Sequence, residues 1–217
     1  MIYKNQRKHV HSSVWVPLIF LLMGVLLSGM LFFWMEEEHL VLLNSQFESD
    51  ANNYIESIER EIQVSLDCLE STHSFFLASD FVSRKEFNKF TTPYIKKHQS
   101  LQAIEWVPYV RHAERADYID RARQDGLTGF DFTEREQQGV MASAKERSFY
   151  FPVYYLEPFT GNEMALGFDL ASNPARLEAI NKSIASGQKA ASSRIILVQG
   201  KGEEHGLLVF KPIFKRE

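Results

Sequence analysis

Between residues 14 and 35 no charge interrupts a run of apolar side chains, and behind it the pattern of hydrophobic and polar positions changes character twice. About twenty apolar residues suffice for a helix to cross a hydrocarbon core roughly 30 Å thick. Lys4, Arg7 and Lys8 precede the run and Glu36, Glu37 and Glu38 follow it. Basic residues are retained on the cytoplasmic side, so the leader is expected in the cytoplasm and the remainder outside. A cleaved signal peptide is the rival reading, but its apolar core spans only about 7 to 15 residues and ends in a small-x-small site. Here the run leaves through Phe32, Phe33, Trp34 and Met35. Bulky aromatics at that point suit an interfacial anchor, and the uncleaved anchor is the preferred reading.

Beyond the membrane, apolar residues recur at Leu40, Leu43, Phe47, Ala51, Tyr54, Ile58, Ile62, Leu66 and Leu69, in steps of three or four. That is helical periodicity. No proline or glycine breaks residues 36–79, so one long helix is predicted, a stalk whose stripe packs on its own domain or on a second copy in parallel. Asp50 and Ser65 intrude on the stripe and leave that choice open.

From residue 81 the pattern changes. A helix is expected over 83–98, with Ser83 as N-cap and Glu86 as its capping-box partner. Residues 101–110 (LQAIEWVPYV) read as a strand with Pro108 near its end. Residues 111–124 read as a helix presenting Ala113, Ala116, Ile119 and Ala122, stopped by Gly126. Residues 149–156 and 164–170 read as paired strands joined by the turn residues Thr160, Gly161 and Asn162. Asn173 and Pro174 open a helix that runs through Leu177, Ile180 and Ile184 to Gly187. Two last strands, 194–199 and 206–214, flank a loop with Gly200 and Gly202. The sum is an α+β layout around an antiparallel sheet.

With 45% hydrophobic residues and few prolines or glycines, the exported part belongs to the ordinary globular class. Three of the 24 basic residues lie in the leader, leaving 21 against 28 acidic ones, a net of −7 outside. A mildly acidic domain is no nucleic-acid binder. Cys68 is the single cysteine, so no internal disulfide holds the domain. It either links two copies through the stalk or sits buried and inert, and burial is the preferred reading. Catalytic motifs are missing: there is no H-E-x-x-H and no G-x-S-x-G, and His39, His73, His98, His112 and His205 stand singly, without metal spacing. GKGEEHG at 200–206 lacks phosphate-loop spacing and reads as a hairpin turn.

The blocks WVPYVRHAERADYIDRARQDG, SFYFPVYYLEP, GNEMALGFDLASNPARLEAINKSIASGQ and IILVQ followed by LLVFKPIF, over residues 87–214, resemble the CHASE domain, a sensory module of bacterial and plant transmembrane receptors. The resemblance implies a long stalk helix followed by two PAS-like antiparallel-sheet subdomains, the membrane-distal one holding the ligand. It also implies a module set between two membrane helices and coupled to a histidine kinase, diguanylate cyclase or cyclic-di-GMP phosphodiesterase inside the cell. The chain stops at Glu217, near the expected handover to a second membrane helix, so a receptor fragment or a truncated gene is expected, without an output enzyme.

In the plant cytokinin receptors of that family an aspartate after a proline-valine strand and a threonine at a later strand contact the hormone. The corresponding stretches here are PVYYLEP, with Glu157 and Pro158 at or beside the aspartate position, and Ser192 or Ser193 at the threonine. Glu157 offers a carboxylate and Ser192 a hydroxyl, against the plainer readings of a surface acid and a loop serine. Strict alternation puts Tyr154 and Leu156 on one strand face and Val153 and Tyr155 on the other. With Phe168 beside it, this aromatic strand lines either a core or a cavity. Asp169 fits the family pattern, or bonds the turn that follows it.

The expected organisation is therefore a leader (1–13), a membrane helix (14–35), a stalk (36–80) and a sensory domain (81–217) in the periplasm or extracellular space. The candidate ligand-binding residues are Tyr154, Leu156, Glu157, Phe168, Asp169 and Ser192, with no metal and no cofactor. The expected partners are an unknown small molecule, the membrane and a second copy joined through the stalk. A structural anchor or dimerisation module without ligand is the alternative.

Overall fold

The computed structural model describes residues 12–98, 100–136, 139–198 and 204–214, with the backbone alone for residues 12–14 and 36–44. The first helix, α1, runs Ser12–Leu77 and contains the apolar stretch Trp15–Met35, whose mean hydropathy of 2.5 and 21 residues are enough to cross a membrane. The chain divides into two compact units, Met1–Glu59 and Arg60–Glu217.

In the first unit the predicted stripe is bare: Phe47, Tyr54 and Ile58 are 74%, 73% and 60% exposed. In the second unit Ile62 is still exposed, but Leu66 and Leu69 are half-buried and Cys68 is buried. Burial also raises the Cys68 thiol above its usual range, so the inert reading of this cysteine holds. Leu40 and Leu43 lie outside the described side chains.

The rest of the second unit is mixed helix and small antiparallel sheets. Helix α2 (Arg84–Lys97) starts as its sequence dictates: Glu86 N–H donates to Ser83 Oγ (3.3 Å) and Ser83 N–H to Glu86 Oε2 (2.9 Å). Strands β1 (Ile104–Trp106) and β2 (Val110–Arg111) share the one stretch read as a strand. A 3₁₀ turn, His112–Glu114, then leads into α3 (Arg115–Gln124). Its buried face differs from the expected one. Ile119 and Ala122 are buried, whereas Ala113 and Ala116 are exposed, because Arg115 and Tyr118 turn inward instead.

The hairpin of β3 (Thr133–Arg135) and β4 (Met141–Ser143) falls in a stretch without a periodic signal. Next come β5 (Phe149–Tyr150) and β6 (Tyr155–Glu157). The strand expected over 164–170 does not form: Glu163–Ala165 and Leu170–Ser172 are 3₁₀ turns, and between them Phe168 and Asp169 make only isolated bridges, to Thr133 and Pro152. Helix α4 (Pro174–Ser186) has Asn173 as N-cap and Gly187 in the left-handed region at its end, as its sequence predicts. Its buried face is Arg176, Ala179, Ile180 and Ser183, however, and Ile184 is 42% exposed. The short strands β7 (Ala190–Ala191), β8 (Ile195–Ile196), β9 (His205–Gly206) and β10 (Val209–Phe210) pair as β7 with β10 and β8 with β9. The predicted loop glycines Gly200 and Gly202 lie outside the described residues.

Backbone hydrogen bonds link three of the strand pairs into one irregular array. β1 pairs with β6 and β2 with β5. On the other edge of the 149–157 stretch, Val153 N–H donates to Phe168 O (3.0 Å) and Gly167 N–H to Val153 O (2.8 Å). Residues 167–169 in turn bond the hairpin, through Thr133 N–H to Gly167 O (2.9 Å) and Asp169 N–H to Thr133 O (2.7 Å). Gly167 has φ +81°, and a Cβ there would collide with the Asp131 carbonyl. Only glycine lets the segments approach so closely.

Two hydrophobic clusters form on opposite sides of this array. The first holds Cys68, Val82, Phe87, Ile104, Tyr150, Tyr154 and Tyr155, with Phe75 and Phe76 of α1 packed against it. The second holds Phe151, Val153, Leu156, Phe168, Leu170, Ile180 and Val198, with Val107, Leu177 and Leu208 at its margin.

Candidate functional site

Strict alternation along 153–156 fails at one point. Trp106 is the register partner of Tyr155, yet its carbonyl also accepts Tyr154 N–H (2.9 Å), so two residues oppose one in the manner of a β-bulge. Tyr154 and Tyr155 therefore both join the first cluster, and Val153 and Leu156 the second. This corrects the expectation that Tyr154 shares a face with Leu156.

The candidate residues consequently divide. Tyr154 is buried among Trp106, Tyr118 and Phe130, its hydroxyl donating to Tyr118 O (3.0 Å). Arg84 Nη1 donates to its carbonyl (2.8 Å). Half-buried Glu157 ends β6 and contributes to the charge around Arg84, on this same side. Leu156 and Phe168 face the other way, into the second cluster. Ser192 is 9% exposed and ties β7 to β10: its hydroxyl accepts Leu208 N–H (3.1 Å) and donates to Ser193 O (2.8 Å).

Asp169 is fully buried and its oxygens are engaged by backbone and ion pair. Oδ1 accepts Phe151 N–H (2.8 Å) and Ala171 N–H (3.1 Å), and Oδ2 meets Arg147. Arg147 also donates to Glu134 Oε2 (2.6 Å). Burial opposes the charge of Glu134, but Arg147 and the Lys145 N–H more than offset it and hold its carboxyl below the usual range. Asp169 thus bonds the turn that follows it and clamps the strand before it.

A second polar group, which sequence reasoning missed, lies within the second cluster. On β1 the alternation sets Glu105 on the same side as Ala103, Val107 and its register partner Leu156. The surrounding protein pushes the Glu105 carboxyl up to about 7, chiefly by desolvation, with Arg176 acting against it. The residue nevertheless keeps some accessible surface.

Arg176, only 4% exposed, is brought down to about 10 by burial against the pull of Glu105, and Arg135 adds like-charge repulsion. Its guanidinium covers the Phe168 ring at 4.7 Å, and Nη2 donates to Ile196 O (3.1 Å). Arg135 Nη2 reaches the next carbonyl, Leu197 O (3.5 Å). Two guanidiniums from β3 and α4 thus meet at one stretch of backbone. Thr133 stands two residues before Arg135 on the same face and is bridged to Phe168.

Among the described residues five buried side-chain polar atoms lack a hydrogen-bond partner, and three of them, Thr133 Oγ1, Arg135 Nε and Arg176 Nε, belong to this group. Leaving such an atom unsatisfied costs about 1–3 kcal/mol, so their concentration here marks the place where the fold gives up stability. The sequence did carry a signal. Glu105 interrupts an apolar strand, and Arg176 falls four residues before Ile180 on the buried helix face.

The β1 strand connects the two sides. Next to Glu105, Trp106 faces the first cluster, where its ring lies 4.7 Å from that of Tyr155 and stacks on Phe76 of α1 at 5.6 Å. Tyr155 in turn donates its hydroxyl to Val82 O (3.0 Å).

No curated protein matches the chain. The family model of the CHASE domain matches residues 80–217, which takes in the strand array, the whole second cluster and the first cluster apart from its α1 residues. With well over half of its residues matched, the chain belongs to the CHASE family, the extracellular sensory domains of membrane signalling receptors.

Proposed function

We propose that this chain senses a small molecule outside the membrane and passes the event through its long helix to the cytoplasmic side of a receptor. In this reading residues 14–35 anchor the chain, residues 36–80 form a dimeric stalk, and residues 81–217 form the sensory domain with PAS-like subdomains. The ligand contacts the second cluster at Leu156 and Phe168, with Ser192 and Asp169 holding the surrounding backbone and Tyr154 and Glu157 responding on the opposite side. A histidine kinase or a cyclic-di-GMP enzyme is the expected kind of output.

The observation that carries this reading is β1, whose adjacent residues Glu105 and Trp106 belong to opposite faces. Any ligand that alters the packing around Glu105 acts, through a strand three residues long, on the ring stacked against Phe76. Interiors are close-packed and transmit such shifts. Helix displacements of about 1–2 Å lie within the repertoire of switching proteins. A ligand biases the equilibrium only by its difference in affinity for the two packings, typically about 1–3 kcal/mol.

The test is a thermal-shift screen of the full chain in lipid nanodiscs against adenine derivatives, amino acids, small carboxylates and peptides. At a hundred times its dissociation constant a ligand adds about 2.7 kcal/mol of stability, so a saturable rise with one class is expected. No rise with any class would contradict sensing and leave the structural anchor or dimerisation module as the better account.

A further inference from the structure

The polar group inside the second cluster has a definite chemical character. Its three atoms without a partner are Arg135 Nε, Arg176 Nε and Thr133 Oγ1. The first two are obligatory donors and the third can donate. What would satisfy all three is an acceptor with several lone pairs, and a carboxylate offers about four lone-pair positions on two oxygens.

Charge narrows the choice further. Around Arg176 stand a second guanidinium, Arg135, and one carboxylate, Glu105, so positive charge is in excess whether or not Glu105 is ionised. An anion offsets that excess, whereas a cation adds repulsion. The neighbours are apolar: the Phe168 ring lies under Arg176, Leu156 stands opposite Glu105, and Val107 lies at the margin. Such a lining with a few convergent polar groups suits a compact ligand.

We propose that Thr133, Arg135 and Arg176 form the recognition site for a small monocarboxylate, whose oxygens accept from the three free donors and whose apolar body rests against Phe168 and Leu156. Glu105 acts on Arg176 through its charge and lowers the positive excess when it is ionised. The proposal rests on the sensory reading and deepens it by naming the ligand class.

The plainer role for both arginines is to fasten the Ile196 and Leu197 carbonyls to the sheet and α4. Thr133 separates the two roles, because its hydroxyl has no partner and fastens nothing. Thr133→Val keeps the shape and removes only that hydroxyl. If the group is purely structural, the variant has no effect on any ligand.

The experiment is a titration of the full chain in nanodiscs with sodium propionate against sodium chloride at equal ionic strength, read by thermal midpoint, with inorganic phosphate, ethylamine and adenine as parallel probes. A saturable rise with propionate is expected, and Thr133→Val and Arg135→Gln should each weaken its apparent affinity about tenfold or more, as loss of a hydrogen bond to a charged group does. A propionate response unchanged in both variants would overturn the site. A saturable response to phosphate, ethylamine or adenine without one to propionate would overturn the ligand class while sensing itself stands. No response to any of these probes or to the wider panel would overturn both.

Discussion

Glu105 is the residue on which the chemistry of the second cluster turns. Its carboxyl is raised from 4.5 to about 7 by burial, so between those values the folded chain keeps a proton that the unfolded chain has released. Stability from this group is therefore fully present below about pH 4.5 and is lost as the pH rises through about 7. A shift of this size corresponds to about 3 kcal/mol. Glu105→Gln has no such proton to lose. Between pH 5 and pH 7.5 the variant should gain on the wild type by on the order of 3 kcal/mol, measured as the difference in denaturation midpoints. Parallel curves for the two proteins would show that Glu105 is not buried as described.

At the same scale, the candidate site was only partly legible beforehand. Leu156 and Phe168, both candidate residues, lie in one apolar cluster. Tyr154 was assigned to the wrong side because a bulge opposite Trp106 breaks the alternation, and alternation is what a sequence lets one count. Glu105, Arg135 and Arg176 were passed over since charges are expected at the surface, and what brings them inward is tertiary pairing between distant segments.

Among the elements, α1 and the capped helices were the most legible, because caps and a 3.6-residue period are local properties. Ser83 with Glu86, and Asn173 with Pro174, start their helices as read. The β3–β4 hairpin was invisible, since its Thr-Glu-Arg and Met-Ala-Ser stretches hold few β-typical apolar residues and are fixed instead by Arg147, Lys145 and the bonds to Gly167.

The apolar stripe of α1 carries the prediction that belongs to this scale. Tyr54, Ile58 and Ile62 are 73%, 60% and 56% exposed in a single chain, which is unusual for so regular a row and fits a seam covered by a second copy. Burying one isoleucine contributes about 1.5–3 kcal/mol, so Ile58→Glu with Ile62→Glu should weaken self-association of the full chain by more than tenfold in sedimentation equilibrium. Self-association unaffected by the pair of substitutions, or none in the unsubstituted chain, would contradict dimerisation through the stalk.

For the whole molecule, the arrangement of two cores on opposite sides of a shared set of strands gives the domain its directionality. One core includes the end of α1; the other includes α4 and the unsatisfied donors. Salt bridges from Lys189 (3.0 Å) and Lys211 (3.6 Å) to Glu70 tie the flanks of β7 and β10 to the same helix. A perturbation of the second core thus has two routes to α1, one through Trp106 and Phe76 and one through Glu70. This architecture, unlike its helices, was not readable from periodicity, because it depends on which strands pair across long sequence separations; the family resemblance supplied the order of elements, not the faces. The most direct test of sensing with transmission is amide hydrogen exchange of the full chain in nanodiscs, with and without saturating propionate. The account predicts that exchange changes both around β3 and α4 and in residues 68–77 of α1, where no ligand contact is proposed. Protection confined to β3 and α4, with residues 68–77 unchanged, would contradict it.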